Sequence, residues 1–328
     1  MRPLLFLILF LLSLHSHASS PFSIPFKSTD PLTKEDYIKV QNQLREIDIR
    51  PLLETLHPQN SNYALFEDFL GRCSRGIRQM LINVDKKLLP VHRLIKIGKG
   101  SEMCIVSCVP YQAHYPELVK TIPEALEASG FNGYFLYQIG GFPNPTGIEI
   151  QYAGVPYSFK IFMMLEAGKL GFDKVLWIDS AAIPLNNPTP LFDWIEKNGA
   201  LICQMKANPS LKKYILPSTR EELKQLTGTD VIEAPYVCTI LFGLNIRSKE
   251  SAKLIESYYE YVALGTPFLS CFPEEFVLTA ILNQSDYKGW KPHPFTKLLK
   301  GAEKNTASLD GDEEAKKTGY FFYHRNLR

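Results

Sequence analysis

The sequence predicts an α/β fold: a mostly parallel sheet with helices on both faces. Three observations carry this. Short, continuously apolar runs recur between Cys104 and Ile246, and segments of helical periodicity alternate with them. The clearest run, Val175-Leu-Trp-Ile178, suits a strand covered on both faces and ends on Asp179-Ser180. At 328 residues the chain is long enough for one large α/β domain or two modest ones.

The elements come in this order. Arg2 precedes the apolar stretch Leu4–Leu14, and Ser16-His17-Ala18 supplies small residues ahead of a cleavage point. This is the pattern of a secretory signal peptide over residues 1–20, because the apolar core is shorter than the roughly 20 residues a spanning helix needs. An uncleaved anchor is the alternative. The expected location is extracytoplasmic: secretory lumen, periplasm or exterior. No later segment is long and apolar enough for a stable membrane span. Residues 21–100 are expected to form a helical N-terminal extension. Its loose lead-in is followed by a helical pattern from Lys34 to Leu94, which Ile95-Lys-Ile-Gly-Lys-Gly100 closes.

The third segment, 101–328, carries the sheet. Cys104–Val109 is its first strand, and His114–Ser129 a helix in which Pro116 suits the first turn while Pro123 is expected to kink or split it. Gly133–Gly140 is the second strand, followed by a glycine-rich turn to Gly147. That turn lacks the spacing of a phosphate-binding loop. A helix from Pro156 to Gly171 leads into the strand ending at Asp179. Further strands are read at Ala200–Met205 and Val237–Ile246, and helices at Glu250–Leu264 and Glu274–Asn283. The tail from Lys300 to Lys317 is charged and expected to be exposed.

Composition excludes some functions. A net charge of +2, with 45% apolar and 21% charged residues, gives no field that implies nucleic acid or an acidic membrane surface. The six cysteines (Cys73, Cys104, Cys108, Cys203, Cys238 and Cys271) permit disulfides in an exported chain. Buried free thiols are the expectation for most. Asn283-Gln-Ser285 is a glycosylation pattern that matters only in a glycosylating host.

The segment Pro156–Gly199 resembles the centre of GT-A-type nucleotide-diphospho-sugar glycosyltransferases. The helix 156–171, the strand end Trp177-Ile-Asp-Ser-Ala181 and the phrase Pro188-Thr-Pro-Leu-Phe-Asp-Trp-Ile195 carry the likeness. It implies a GT-A-like, Rossmann-type domain. The implied reaction moves a sugar from a nucleotide-diphosphate donor to the hydroxyl of a carbohydrate, protein or lipid acceptor. Ala181 stands where the family has the second Asp of Asp-x-Asp and has no oxygen to give a cation. The implied Mn or Mg ion, held by Asp179 and His324, is therefore in question.

Other roles follow from residue chemistry read beside this resemblance. Asp179, at a strand's C-terminal end, is placed to accept ribose hydroxyls or hold a cation. Its alternative is a turn cap. Ser180 is read as a phosphate donor or a satisfier of local backbone. Arg325 is read as neutralising the diphosphate in place of metal. Lys160 is read as meeting a phosphate or lying in solvent, and Tyr157 as stacking on a base or simply packing. Val109 marks the strand end beside which the nucleotide lies. Glu275, in the first turn of a helix, is the preferred general base, with the helix dipole as the alternative reason for its position. Two rival functions stand beside transfer: a non-catalytic sugar- or nucleotide-binding module of the same fold, and a hydrolase pairing Asp179 with Glu275.

Overall fold

The computed structural model describes residues 90–111, 114–140, 143, 159–268, 270–284, 293–301 and 313–325. The leader, nearly all of the expected helical extension, Cys73, Tyr157 and most of the glycine-rich turn lie outside them.

The core is a six-stranded sheet in the order β1-β3-β2-β4-β7-β6. Its strands are β1 (Val91–Ile97), β2 (Met103–Val109), β3 (Gly133–Ile139), β4 (Lys174–Ile178), β6 (Ala200–Met205) and β7 (Tyr236–Asn245). β2 lies parallel to both β3 and β4, while β7 runs against β4 and β6. β6 therefore shares the direction of β2, β3 and β4, and only β1 and β7 oppose it. The sheet is mostly parallel, as the buried apolar runs predict.

Strand parity sorts the core into two layers. Cys104, Val106, Val175, Trp177, Phe242 and Leu244 pack toward α2 (Phe159–Lys169), α5 (Lys249–Leu264) and α6 (Pro273–Leu282). Ile105, Val109, Phe135, Leu176, Ile178 and Leu241 pack toward α1 (Tyr115–Ala128) and α3 (Thr189–Asn198). Residues 160–167 of α2 are all buried, which explains why that helix reads as apolar all round. The remaining helix of this body, α4 (Pro217–Thr227), buries only Thr219 and Leu223.

Some expectations change. Val91–Ile97, covering the end of the expected helical pattern and the start of the segment read as closing it, is β1, an edge strand paired antiparallel to β3 along its whole length. The sheet therefore starts before residue 101. Its mixed pattern, with Leu94, Ile95 and Ile97 close together, satisfies helical and strand spacing about equally. Pro123 neither splits α1 nor ends it; Tyr115–Ala128 is one helix. The charged tail is partly built in. β8 (Leu299–Gly301), α7 (Glu313–Lys317) and β9 (Phe322–His324) belong to the C-terminal part of the chain, and both strands enter a second sheet of order β5-β9-β8, where β5 is Ala182–Pro184. Because β5 lies just beyond Asp179, this sheet brings the C-terminal segment back to the end of β4.

One irregularity bears on the sheet's working edge. Between β6 and β7 the pairing passes from Ile202↔Phe242 to Cys203↔Cys238, so Thr239, Ile240 and Leu241 fall between the two. A bulge of this kind re-aims side chains and ends regular pairing. Here it frees Thr239 from the β6 ladder.

Close packing between β2 and β3 yields an expectation. A Cβ on Gly133 would stand 2.7 Å from the Met103 carbonyl oxygen and press on the buried Phe131 ring. Gly133→Ala is expected to destabilise the fold by about 1–3 kcal/mol, read as a lower midpoint in a denaturant titration. An unchanged midpoint would show that the two strands can separate without cost.

Candidate functional site

The C-terminal ends of the parallel strands form one edge. Val109 ends β2, and its carbonyl accepts the Gly140 N–H at 2.8 Å. On the neighbouring strand Asp179 follows β4, and its own N–H donates to the Ile240 carbonyl at 3.0 Å, inside the bulge. Because β7 is antiparallel, its start at Tyr236 lies on this edge too. Helix α6 packs against β7 and presents Glu274 and Glu275 in its first turn, where the helix dipole favours negative charge.

Lys160 joins these parts. Its ammonium is buried and lies 2.9 Å from Asp179 Oδ1 and 2.9 Å from Glu274 Oε1. It also donates to the Thr239 hydroxyl at 3.0 Å and the Thr239 carbonyl at 3.2 Å. The Trp177 ring centroid lies 5.5 Å away, within cation–π range. Trp177 Nε1 in turn donates to Asp179 Oδ1 at 2.8 Å. Burial alone would lower the lysine, but the charges of Asp179, Glu274 and Glu275 outweigh it and hold the ammonium protonated above its usual range.

The carboxylates are not equivalent. Asp179 is the more open partner of Lys160, with 27% of its side chain exposed against 5% for Glu274. Burial pushes Glu274 up to about 7, reinforced by Glu275, although Lys160 pulls the other way. Its Oε1 also accepts from the Thr239 hydroxyl at 2.9 Å. Glu275 accepts the Tyr236 hydroxyl on Oε2 and the Thr239 N–H on Oε1 at 3.1 Å. Tyr236 is pushed up by burial and by Glu275, so it stays protonated and donates. One cation thus stands among three carboxylates, tied together by Thr239.

Among the predicted site residues the structure brings together Asp179, Lys160 and Glu275, with Val109 on the same sheet edge. Arg325 is placed differently. It is 0% exposed, and its guanidinium donates to the Thr121 hydroxyl at 2.8 Å, to the Leu118 carbonyl at 3.2 Å, and to the carbonyls of Ser180 and Ala181. It staples the Asp179–Ala181 turn to α1 from behind. Ser180 is buried, and its carbonyl takes part in that staple. His324, in β9, pairs with Ala182. Burial lowers its pKa, against a smaller upward pull from Asp179, so it is neutral near pH 7. Thr239, Tyr236 and the Trp177 indole are site residues that the sequence reading does not single out, and of the acidic pair opening α6 it prefers Glu275 to the more deeply buried Glu274. The available signals are a polar Thr239 inside the apolar run Val237–Leu241 and the lone lysine in the buried stretch of α2.

The residues present do not fit a divalent ion well. The buried ammonium already stands against Asp179 and Glu274, and Ala181 adds no oxygen. Among the described residues no group of three or more His, Cys, Asp or Glu is arranged to hold a metal. No described helix is long and apolar enough to cross a membrane.

No protein-family model matches the chain, and no curated protein matches it by sequence. Solved structures similar to it include a galactosyltransferase, LgtC, in complex with donor and acceptor sugar analogs. The identity is 16%, covering 68% of this chain and 86% of that one, with a TM-score of 0.36. An active-site mutant of LgtC gives 16%, 69%, 88% and 0.38 in the same order. Mouse xyloside xylosyltransferase 1, apo form, gives 11%, 65%, 73% and 0.32. No residue role follows from likeness of this degree.

The raised Glu274 has a consequence for stability. Its folded pKa lies above the ordinary 4.5, at about 7, so the native state holds a proton that the unfolded chain releases between those values. The contribution is fully present below about 4.5 and is lost as pH rises through about 7. Melting temperature against pH is therefore expected to fall more steeply for the wild type than for Glu274→Gln. Parallel profiles would contradict the assignment.

Proposed function

We propose that this chain transfers a sugar from a nucleotide-diphosphate sugar to a hydroxyl acceptor, with the sugar held at the carboxylate cluster around Lys160. The observation that carries the reading is Asp179. It is a partly exposed carboxylate at the C-terminal end of a buried parallel strand, held in place by Lys160 and Trp177. Ligands of open α/β sheets bind at such an edge. The sequence resemblance over 156–199 points the same way.

The charge balance refines the placement. Even with Glu274 protonated, the acidic groups Asp179 and Glu275 outnumber the one ammonium, so the cluster disfavours a bare diphosphate but accepts hydrogen bonds from hydroxyls. The cluster therefore suits the sugar hydroxyls, and the phosphates lie away from it, toward Val109. Glu275 sits in the same cluster as the partly exposed Asp179, as the group to take the acceptor's proton. Lys160 already stands against Asp179, where the resemblance implies a metal, so donor binding is expected without manganese or magnesium. A secretory location fits the leader-like residues 1–20.

A second reading has its own support. Ala181 removes a ligand, and both oxygens of Glu275 already accept protein hydrogen bonds. These features favour a sugar-binding protein without catalysis. Hydrolysis of bound donor separates the two.

Calorimetric titration with a panel of nucleotide sugars, with and without manganese, tests the proposal. One donor is expected to bind in both conditions. In Asp179→Asn, with folding checked by circular dichroism, affinity is expected to fall about ten- to a hundredfold, the worth of hydrogen bonds to a charged acceptor. Absence of binding by every donor in both conditions would overturn the reading.

A further inference from the structure

Cys203 and Cys238 face each other across β6 and β7, as direct register partners just beyond the bulge. Directly opposed residues of antiparallel strands project from the same face, with Cα atoms about 4.5–5.5 Å apart. A disulfide spans Cα separations of about 4.4–6.8 Å. Both are free thiols and both are partly exposed, whereas Cys104 and Cys108 are sealed in the core. Ionising Cys238 would disfavour ionising Cys203, while Glu275 and Asp179 disfavour the Cys238 thiolate and Lys160 favours it. Cys238 immediately precedes Thr239, the residue that ties the carboxylate cluster together.

We propose that Cys203 and Cys238 form a modification site: a cross-strand disulfide made by exchange with a small-molecule disulfide such as oxidised glutathione. The first thiol loses its proton and attacks one glutathione sulfur, giving a mixed disulfide and releasing one glutathione thiolate. The second thiol loses its proton and displaces the other glutathione. The two protons end on the two released glutathione thiols, so the protein pair is oxidised as glutathione disulfide is reduced. The bond fastens the start of β7, which pairs there with β6 alone, and so fixes Tyr236 and Thr239 against Glu275. Burial pushes both thiols up to about 12. Thiolate is therefore scarce, and exchange is expected to quicken about tenfold for each pH unit above neutrality.

Incubating the full chain with oxidised glutathione, followed by acid quench, alkylation and peptide mass mapping, tests this. Circular dichroism checks that the fold persists. The expected product is a linked peptide pair containing Cys203 and Cys238, forming faster as pH rises. In Cys203→Ser the reaction is expected to stop at a glutathione adduct on Cys238. In the folded wild type, either of two results would overturn the proposal: both thiols remaining open to alkylation, or Cys238 pairing with a different cysteine.

Discussion

A single ammonium, that of Lys160, is shared by a strand end and a helix start that lie far apart in sequence. Asp179 closes β4, Glu274 opens α6, and Thr239 sits in the bulge of β7; all three touch the same nitrogen or each other. A buried charge is tolerated only when it is paired and hydrogen-bonded. The three elements are therefore held at this edge by a common requirement: each must stay close enough to satisfy Lys160, and Lys160 must stay to satisfy them. The bulge meets that requirement, because a regular ladder would have aligned Thr239 with β6 instead.

A second constraint acts from behind. Arg325 takes up the carbonyls of Ser180 and Ala181 and anchors them to α1, while β9 pairs with β5. The turn after Asp179 is thus gripped on one side by a guanidinium and on the other by an ammonium. What is left open is the carboxylate between them. A rigidly supported, partly exposed acid beside two further carboxylates is suited to ordered hydroxyl groups, and its support costs no reorganisation when a ligand arrives.

Much of this architecture is legible in local pattern. β2, β4 and β6 are short apolar runs with clear stops, and α1 and α5 carry a periodic apolar face, so their bounds can be read to within a few residues. β1 escapes because its three clustered apolar residues fit both periods. β5, β8 and β9 are too short to carry a pattern, and β5 pairs with a strand more than a hundred positions away. The site divides in the same way. Asp179 is visible because a carboxylate ends an apolar run, and the acidic pair 274–275 because it opens a helix. That Lys160 is buried against both is not visible, since its contact with Glu274 spans more than a hundred residues. The charge of Arg325 alone suggests that it faces a ligand; only the return of β9 to β5 turns it inward, where backbone carbonyls occupy it.

The shared ammonium is the central claim, and a double-mutant cycle of Lys160→Met and Glu274→Leu tests it most directly. Removing Lys160 leaves the buried Glu274 without its cation, at a cost of about 3–5 kcal/mol, whereas removing Glu274 costs less because Lys160 keeps Asp179 at 2.9 Å. If the two groups satisfy each other, the double variant is expected to be more stable than the sum of the single effects allows, by about 2 kcal/mol or more in denaturant titrations. Additivity within about 0.5 kcal/mol would mean that Lys160 and Glu274 do not depend on each other, and the organisation of the site around that ammonium would be contradicted.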